Sequence, residues 1–304
     1  MSSAENRLWQ AASVDQNGVF GDRVETHTSK ADFDAIYRDP DPRRYFSELS
    51  HFEYQVPQQA LPVIESVLAE STRIAQRSQV VLDLCCSYGI NAALLRGDVD
   101  LNALTHRYID AALISMSSDE LIVADRAFHS ARIRRPDLTV LGIDVSKPAI
   151  EYGLRTGLLA DGWSENLEVS EPTEALAAGV REVDVIICTG GVGYISEQSF
   201  RRVLGAVARP RQLVIVVFVL RVFSYEAIEA TLAEYGLVTE RLPGTFLQRR
   251  FVNQTESDAA VRDVRRRGLD PSGKESAGYF HAECWISRPA ADVKGEQAVR
   301  RSCL

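Results

Sequence analysis

Val80-Val81-Leu82-Asp83-Leu84-Cys85-Cys86-Ser87-Tyr88-Gly89, followed by Ile90-Asn91-Ala92-Ala93-Leu94-Leu95, is the stretch that decides the fold of this chain. Apolar residues around a single acid suit a buried strand, small residues and a glycine suit a tight turn, and Ala-Ala-Leu-Leu suits the helix that follows. Strand, turn and helix in that order form the junction at which α/β sheets bind nucleotides. The turn exposes backbone N–H groups beside the positive helix N-terminus, and small side chains let a ligand approach closely.

Asp83 narrows the choice of nucleotide. A pyrophosphate site relies on three turn glycines, G-x-G-x-x-G, whereas this turn has Cys85, Ser87 and one glycine, Gly89. A carboxylate beside the turn repels a pyrophosphate and suits a ligand with a cationic end, such as the ammonium and sulfonium of S-adenosylmethionine. The segment resembles the first motif of the class I S-adenosylmethionine-dependent methyltransferases, (V/L)-L-D-x-G-C-G-x-G. Asp83, Cys86 and Gly89 match that pattern, while Cys85 and Ser87 stand where it has glycine. The resemblance implies that Asp83, Cys85, Ser87, Tyr88 and Gly89 surround the amino-acid end of the cofactor, and the departures imply that this end sits differently from the family norm. Taken without the resemblance, the same residues also fit a buried strand and turn that binds nothing.

Downstream, strand-like and helix-like segments alternate as a doubly wound domain requires. Residues 138–143 read as the second strand, ended by Asp144, an acid placed to accept both ribose hydroxyls of an adenosine and matched by the family. Residues 147–158 read as a helix with Ile150, Leu154 and Leu158 on one face. Residues 166–170 are the expected third strand. Glu171 follows where the family has a residue near the adenine, or else simply starts a helix before Pro172. Residues 183–188 form the fourth strand and lead into Thr189-Gly190-Gly191-Val192-Gly193-Tyr194, where three glycines over four positions bring backbone close to something bulky. The resemblance implies that this loop lines the cofactor and faces the substrate, with Thr189, Gly190 and Tyr194 in the wall. Residues 212–220 are the fifth strand and 224–235 a helix stopped by Gly236. Residues 237–242 and 280–287 form an antiparallel pair, as the family has. The expected fold is α/β: a doubly wound, Rossmann-like, seven-stranded sheet with an antiparallel last strand, a helical N-terminal cap and a helical insertion.

Three segments are additions to that core. Residues 1–75, the expected cap, carry Trp9, Phe20, Phe33, Tyr37, Tyr45, Phe46, Phe52 and Tyr54. Most of these rings read as core, with Tyr37 and Tyr45 as candidates for a lid that meets sulfonium and substrate through cation–π contact. Asp83 and Asp144 are far more distant in sequence than the ~20 residues usual between such acids, which places an insertion at about 97–137. Helices over 101–113 and 118–134 would bring His106, Tyr108, Asp110 or His129 near the substrate. His106 is the better candidate for a general base, against the commoner role of a surface histidine. The third addition, about 243–279, is locally basic through Arg249, Arg250, Arg262, Arg265, Arg266 and Arg267, which suits a carboxylate or phosphate or a solvated helix face. Residues 76–288 are then the methyltransferase-like domain and 289–304 a disordered tail.

Length and composition bound the partners. The chain of 304 residues with 45% apolar content supports a sizeable core. With 34 Lys and Arg against 42 Asp and Glu, a net charge of −8, it lacks the basic balance that nucleic-acid binding needs. Residues 1–17 have no apolar leader core, and the longest apolar run, 213–220, is too short to span a bilayer, so a cytoplasmic protein without a membrane partner is expected. Cysteines 85, 86, 188, 284 and 303 show no C-x-x-C and no Cys/His spacing, so no metal is expected.

The functional expectation is a small-molecule methyltransferase of biosynthesis, of the kind found in secondary metabolism, using S-adenosylmethionine, with Tyr37, His106 and Tyr194 as catalytic candidates. The altered turn and aromatic cap also resemble, more faintly, enzymes on this fold that cyclise S-adenosylmethionine to azetidine-2-carboxylate and methylthioadenosine, a reaction in which Tyr88 would hold the sulfonium. A nicotinamide-dependent oxidoreductase is opposed by Asp83 and the missing glycines. A non-catalytic binding protein on the same fold is the remaining class.

Overall fold

The computed structural model describes residues 34–75 and 78–292. Trp9, Phe20 and Phe33 of the expected cap, and the expected tail from residue 293, lie outside the described residues.

A short turn of 3-10 helix, Asp34–Tyr37, leads into α1 (Arg43–Ser50) and α2 (Val56–Ala75). The first strand β1 (Gln79–Leu84) is followed by α3 (Ile90–Arg96), then α4 (Leu101–Tyr108), α5 (Ala111–Ile114) and α6 (Ser118–Ser130). The chain continues through β2 (Leu138–Asp144), α7 (Lys147–Thr156), β3 (Asp161–Ser164), α8 (Glu174–Gly179), β4 (Val185–Thr189) and α9 (Glu197–Ala206). It ends with β5 (Val214–Leu220), α10 (Glu226–Glu234), β6 (Leu237–Arg241), β7 (Phe246–Arg250), α11 (Gln254–Arg266) and β8 (Tyr279–Pro289).

The sheet runs β3-β2-β1-β4-β5-β8-β6, with β1 to β5 parallel and β8 antiparallel to its neighbours. This is the expected seven-stranded sheet with an antiparallel last strand, and β7 is an eighth, short strand added to it. β8 carries both partners because it is long: its later residues, Trp285 to Pro289, pair with β6, and its first ones, Tyr279 to Ala282, pair with β7. Strand order reverses between β1 and β4, which opens a crevice at their carboxyl ends.

Helices cover both faces because successive strand residues point to opposite sides. Val81, Val140, Val185 and Val216 pack into one core with α2, α3 and α7, and their neighbours Leu82, Leu141, Ile186 and Ile215 pack into another with α8, α9 and α10. Ile64, Val67 and Leu68 of α2 belong to the first core, so the described part of the cap packs on the sheet itself. It is also laced to the edge of β7: Gln55 N–H donates to the Gln248 carbonyl at 2.8 Å and Arg250 N–H to the Phe52 carbonyl at 2.7 Å. These bonds satisfy an edge that would otherwise stay open. On its other side, α1 docks on the insertion. Phe46 stacks on Tyr108 at 4.7 Å, and the Arg43 guanidinium donates to the carbonyls of Leu113 (3.0 Å) and Met116 (2.7 Å) while paired with Asp41.

Four local expectations are corrected. The third strand is Asp161–Ser164, paired with Leu141 to Asp144, whereas 166–170 is a turn. Asn166 Oδ1 accepts from Glu168 N–H at 3.0 Å, and its carbonyl accepts from Val169 and Ser170, a local closure that competes with strand pairing. The expected helix over 101–113 is two helices, because Asp110 is extended and caps α5 by accepting from Ala112 N–H at 2.8 Å. The helix expected over 118–134 ends at Ser130. In α7, Leu154 is 37% exposed, while Ile150 and Leu158 are buried. The helix stops at Thr156 and Gly157 takes a φ of 76°, so Leu158 enters the core from beyond the helix and shares no helical face with Leu154. Among the described residues, no helix is long and apolar enough to cross a membrane.

Candidate functional site

The β1–α3 turn is built with a backbone that its side chains disfavour. Cys85 and Ser87 have φ values of 60° and 51°, in the left-handed region, and Gly89 follows at 80°. A non-glycine residue there costs about 1 kcal/mol or more. The strain is held by hydrogen bonds to β2: Cys85 N–H (2.8 Å) and Cys86 N–H (3.2 Å) donate to the Ile143 carbonyl, and Ser87 N–H donates to Asp144 Oδ2 at 2.9 Å. The two positions that depart from the methyltransferase pattern thus adopt the conformation that glycine takes most readily.

Asp144 closes β2 beside this turn. Its second oxygen accepts from Ser146 N–H at 2.9 Å. Burial raises its pKa, and the N–H groups of Ser146, Ser87 and Val145 oppose that rise. Cys85, Ser87, Asp144, Thr189 and Gly190 all line one cavity in the crevice between β1 and β4, together with Tyr37 and Tyr194. Ser87 is 8% exposed, and its hydroxyl has no hydrogen-bond partner, an orphan that a bound molecule would satisfy.

Asp83 acts at one remove. It is fully buried and does not line the cavity; both its oxygens accept from Asn91 Nδ2 at 3.1 Å, and that same nitrogen lies 3.0 Å from Thr189 Oγ1. Asn91 and Thr189 reach the cavity in its place. Burial pushes the Asp83 carboxyl up to about 8, with Asn91 opposing and the nearby Asp144 adding to the rise.

The glycine loop after β4 has the crowded setting its composition predicts. A Cβ on Gly191 would stand 2.7 Å from Cys188 Sγ and 2.8 Å from Cys85 Sγ, one on Gly193 would stand 2.5 Å from the Phe223 ring, and Gly190 has a φ of 88°. The Cys85 thiol is held protonated by its hydrogen bond with Cys188 and by burial.

The opposite wall is aromatic. Tyr37, Tyr45 and Tyr54 from the cap region and Tyr194 from the glycine loop converge on the cavity. The Tyr45 ring lies 5.8 Å from Tyr37 and 6.1 Å from Tyr54, and burial raises the pKa of all three cap tyrosines, so they stay protonated. Gln248 and Arg249 of β7 complete this wall. Arg249 is 2% exposed and held by Glu256 at both guanidinium nitrogens, 2.9 and 2.6 Å away.

Several residues singled out from the sequence stand elsewhere. Tyr88 is fully buried off the cavity, and its hydroxyl donates to the carbonyls of Ile36 (2.8 Å) and Asp39 (2.9 Å), stitching the cap to the turn. Gly89 begins α3, packed against Leu158. Glu171 is exposed and paired with Arg202 at 2.9 Å. Because β3 ends at Ser164, it is Glu165, Asn166, Leu167 and Glu168 that line the cavity. His106 is exposed on α4 and outside the cavity lining. His129 is buried, its pKa pushed down to about 4 by burial and by Arg107 and Arg132, and it too lies off the cavity. Tyr108 bonds Tyr152 at 2.8 Å inside the core. Of the arginines in the third addition, Arg249 lines the cavity and the others do not. Among the described residues, no group of three or more His, Cys, Asp or Glu side chains is placed to hold a metal.

No protein-family model and no curated protein matches this chain. Among solved structures it is similar to the plantazolicin methyltransferase BpumL in complex with SAH, at 12% identity over 88% of this chain and 96% of that one, with a TM-score of 0.41. It is also similar to the magnesium protoporphyrin IX methyltransferase ChlM from Synechocystis PCC 6803 with bound SAM, at 11% identity over 90% and 99% of the two chains and a TM-score of 0.36. A third is a TehB-like SAM-dependent methyltransferase from Corynebacterium glutamicum, at 13% identity over 71% and 85% and a TM-score of 0.35.

Proposed function

We propose that this chain is an S-adenosylmethionine-dependent methyltransferase that acts on a small molecule of secondary metabolism in the cytoplasm. The observation that carries the reading is the left-handed turn at Cys85 and Ser87, tied to Asp144 at the carboxyl edge of the sheet, with the Ser87 hydroxyl buried and unpartnered on a residue that lines the cavity. These residues fit the cofactor. Asp144 keeps lone pairs for ribose hydroxyls beside those used by Ser87 and Ser146, and Ser87 Oγ offers a bond at the amino-acid end. Glu165 to Glu168 stand where an adenine would follow. When bound, the cofactor supplies a methyl group on a cationic sulfur.

The protein's own part is placement and shelter. In its ionised form, which a cationic ligand favours, Asp83 sets a negative potential behind Asn91 and Thr189. The tyrosine wall excludes water and presents ring faces to positive charge. Alignment of the reactants accounts for most of what such a site must do. The cyclase alternative assigned the sulfonium to Tyr88, and a buried ring with its hydroxyl spent on two carbonyls leaves that role unfilled.

Calorimetric titration with S-adenosylmethionine, S-adenosylhomocysteine and NAD tests the cofactor assignment. The first two should bind and NAD should not; NAD binding with no response to the others overturns the proposal. Incubation with S-adenosylmethionine alone, with products read by mass spectrometry, separates the two chemistries. Methylthioadenosine with a matching amino-acid product would establish the cyclase instead.

A further inference from the structure

We propose that the methyl acceptor is an amine and that Gln248 receives its N–H on the cap side of the cavity, a statement that rests on the methyltransferase reading above. The strand β7 contains a bulge. Leu247 pairs with His281 and Arg249 with the adjacent Phe280, so Gln248 is the extra residue. Neighbours in a regular strand point to opposite faces, but at a bulge the side chains are re-aimed. Gln248 and Arg249 are both buried and both line the cavity. The main chain of Gln248 is pinned by Gln55, and its amide nitrogen stands 4.0 Å from where a Gly190 side chain would begin. The amide therefore lies beside the glycine loop, in the cavity that the tyrosines also line.

Gln248 is 6% exposed, yet its Oε1 has no hydrogen-bond partner. A carbonyl oxygen accepts and never donates, so the molecule that completes it must bring an N–H or O–H. The surroundings favour the nitrogen. The rings of Tyr37, Tyr45, Tyr54 and Tyr194 attract positive charge. Arg249, the cation of this wall, is engaged at both ends by Glu256 and so offers little to an anionic acceptor.

The reaction itself sharpens the choice. The amine lone pair forms a bond to the methyl carbon, the carbon–sulfur bond breaks with its pair left on sulfur, and the positive charge passes from sulfur to nitrogen. A proton then leaves the ammonium for water. As charge arrives on nitrogen, its hydrogen bond to Gln248 Oε1 becomes charge-assisted and roughly twice as strong. Gln248 thus stabilises the transition state without taking a proton. An alcohol would have to surrender its proton during transfer. Among the described residues, this wall offers protonated tyrosines and a paired arginine for that task.

The experiment uses the full chain, wild type and the variants Gln248→Leu and Gln248→Glu. Affinity for S-adenosylhomocysteine is measured first; its absence in the wild type overturns the methyltransferase reading itself, a failure separate from any result with the acceptor probes. The loaded proteins are then titrated with benzylamine, benzyl alcohol and benzoate by ligand-observed NMR. Benzylamine should bind the wild type at least about tenfold more tightly than the other two, weaken about tenfold or more in Gln248→Leu, and be retained in Gln248→Glu, which keeps the acceptor. Normal binding of S-adenosylhomocysteine combined with no benzylamine binding, with no preference for it, or with equal affinity in Gln248→Leu overturns the proposal.

Discussion

The two walls of the cavity are made in different ways. The sheet-side wall, from Leu84 to Ser87 and at Asp144, is a turn and a strand end locked by backbone hydrogen bonds to β2. The cap-side wall, Tyr37, Tyr45, Tyr54 and Gln248, is assembled from separate elements held by a buried ion pair, ring contacts and the edge of β7. The first is fixed by the register of two adjacent parallel strands. The second depends on distant pieces meeting. Damage to one should therefore leave the other standing, and that independence is open to test.

The largest effect is expected at the cap side. Glu256→Ala removes one partner of an ion pair in which both side chains are 2% exposed, leaving the Arg249 charge buried. Such a loss costs about 3–5 kcal/mol, read as a shift in the urea midpoint. It should also release the Gln248 segment, while S-adenosylmethionine affinity of the folded protein stays near wild type. A collapse of cofactor binding in parallel with stability would show that the walls are one unit. Asp144→Ala is the complementary change. It deletes the acceptor for the ribose and for Ser87 N–H, and at about 1.5–3 kcal/mol for each hydrogen bond to a charged group affinity should fall by at least about tenfold in calorimetry. Wild-type affinity in this variant would remove the cofactor from this cavity.

The same division explains what was legible. Strand, turn and acid at 80–89 and the acid at 144 are local patterns, and the fold and the sheet-side wall follow from them. The glycines after β4 announced close contact, and thiols and the Phe223 ring lie there. Gln248 and Tyr54 gave no such signal. A β-bulge is a mismatch between two strands, so its re-aimed residue is invisible until β7 is laid against β8. His106 is suggested by the inserted helices and by its suitability for proton transfer, and Glu171 by analogy of position, but the first faces outward on a short helix and the second stands seven residues beyond the end of β3. Tyr88 was read as a ligand contact because it sits in the motif. Its side chain points away from the cavity into the cap, which only the turn geometry decides.

Ser87→Ala separates stability from binding at a smaller scale. The hydroxyl is buried and unpartnered, so removing it should stabilise the free protein by about 1–3 kcal/mol, the desolvation cost of an unmet polar group, and weaken cofactor binding. Thermal denaturation with and without S-adenosylmethionine reads both, and the two shifts should have opposite signs. Shifts of the same sign would mean that the hydroxyl meets no ligand.

The smallest and most diagnostic effect is the pH dependence set by Asp83. Its folded pKa, about 8, lies above the ordinary carboxyl value of 3.8, so the folded state binds a proton that the unfolded state has lost. The associated stability is present in full below pH ~4, declines across the interval, and is gone once pH passes about 8, with a slope of at most about 1.4 kcal/mol per pH unit. Asp83→Asn, which stays neutral, should flatten that slope in urea unfolding at pH 5, 7 and 8.5. A cationic ligand favours the charged carboxyl, so S-adenosylmethionine affinity should rise with pH up to about 8 and its binding should release protons, seen as a dependence of calorimetric heat on the buffer. In Asp83→Asn both the pH dependence and the buffer dependence should vanish, even though this residue touches nothing in the cavity. That loss would show Asn91 and Thr189 transmitting charge that the sheet-side wall uses at a distance; its persistence would place the titrating group elsewhere.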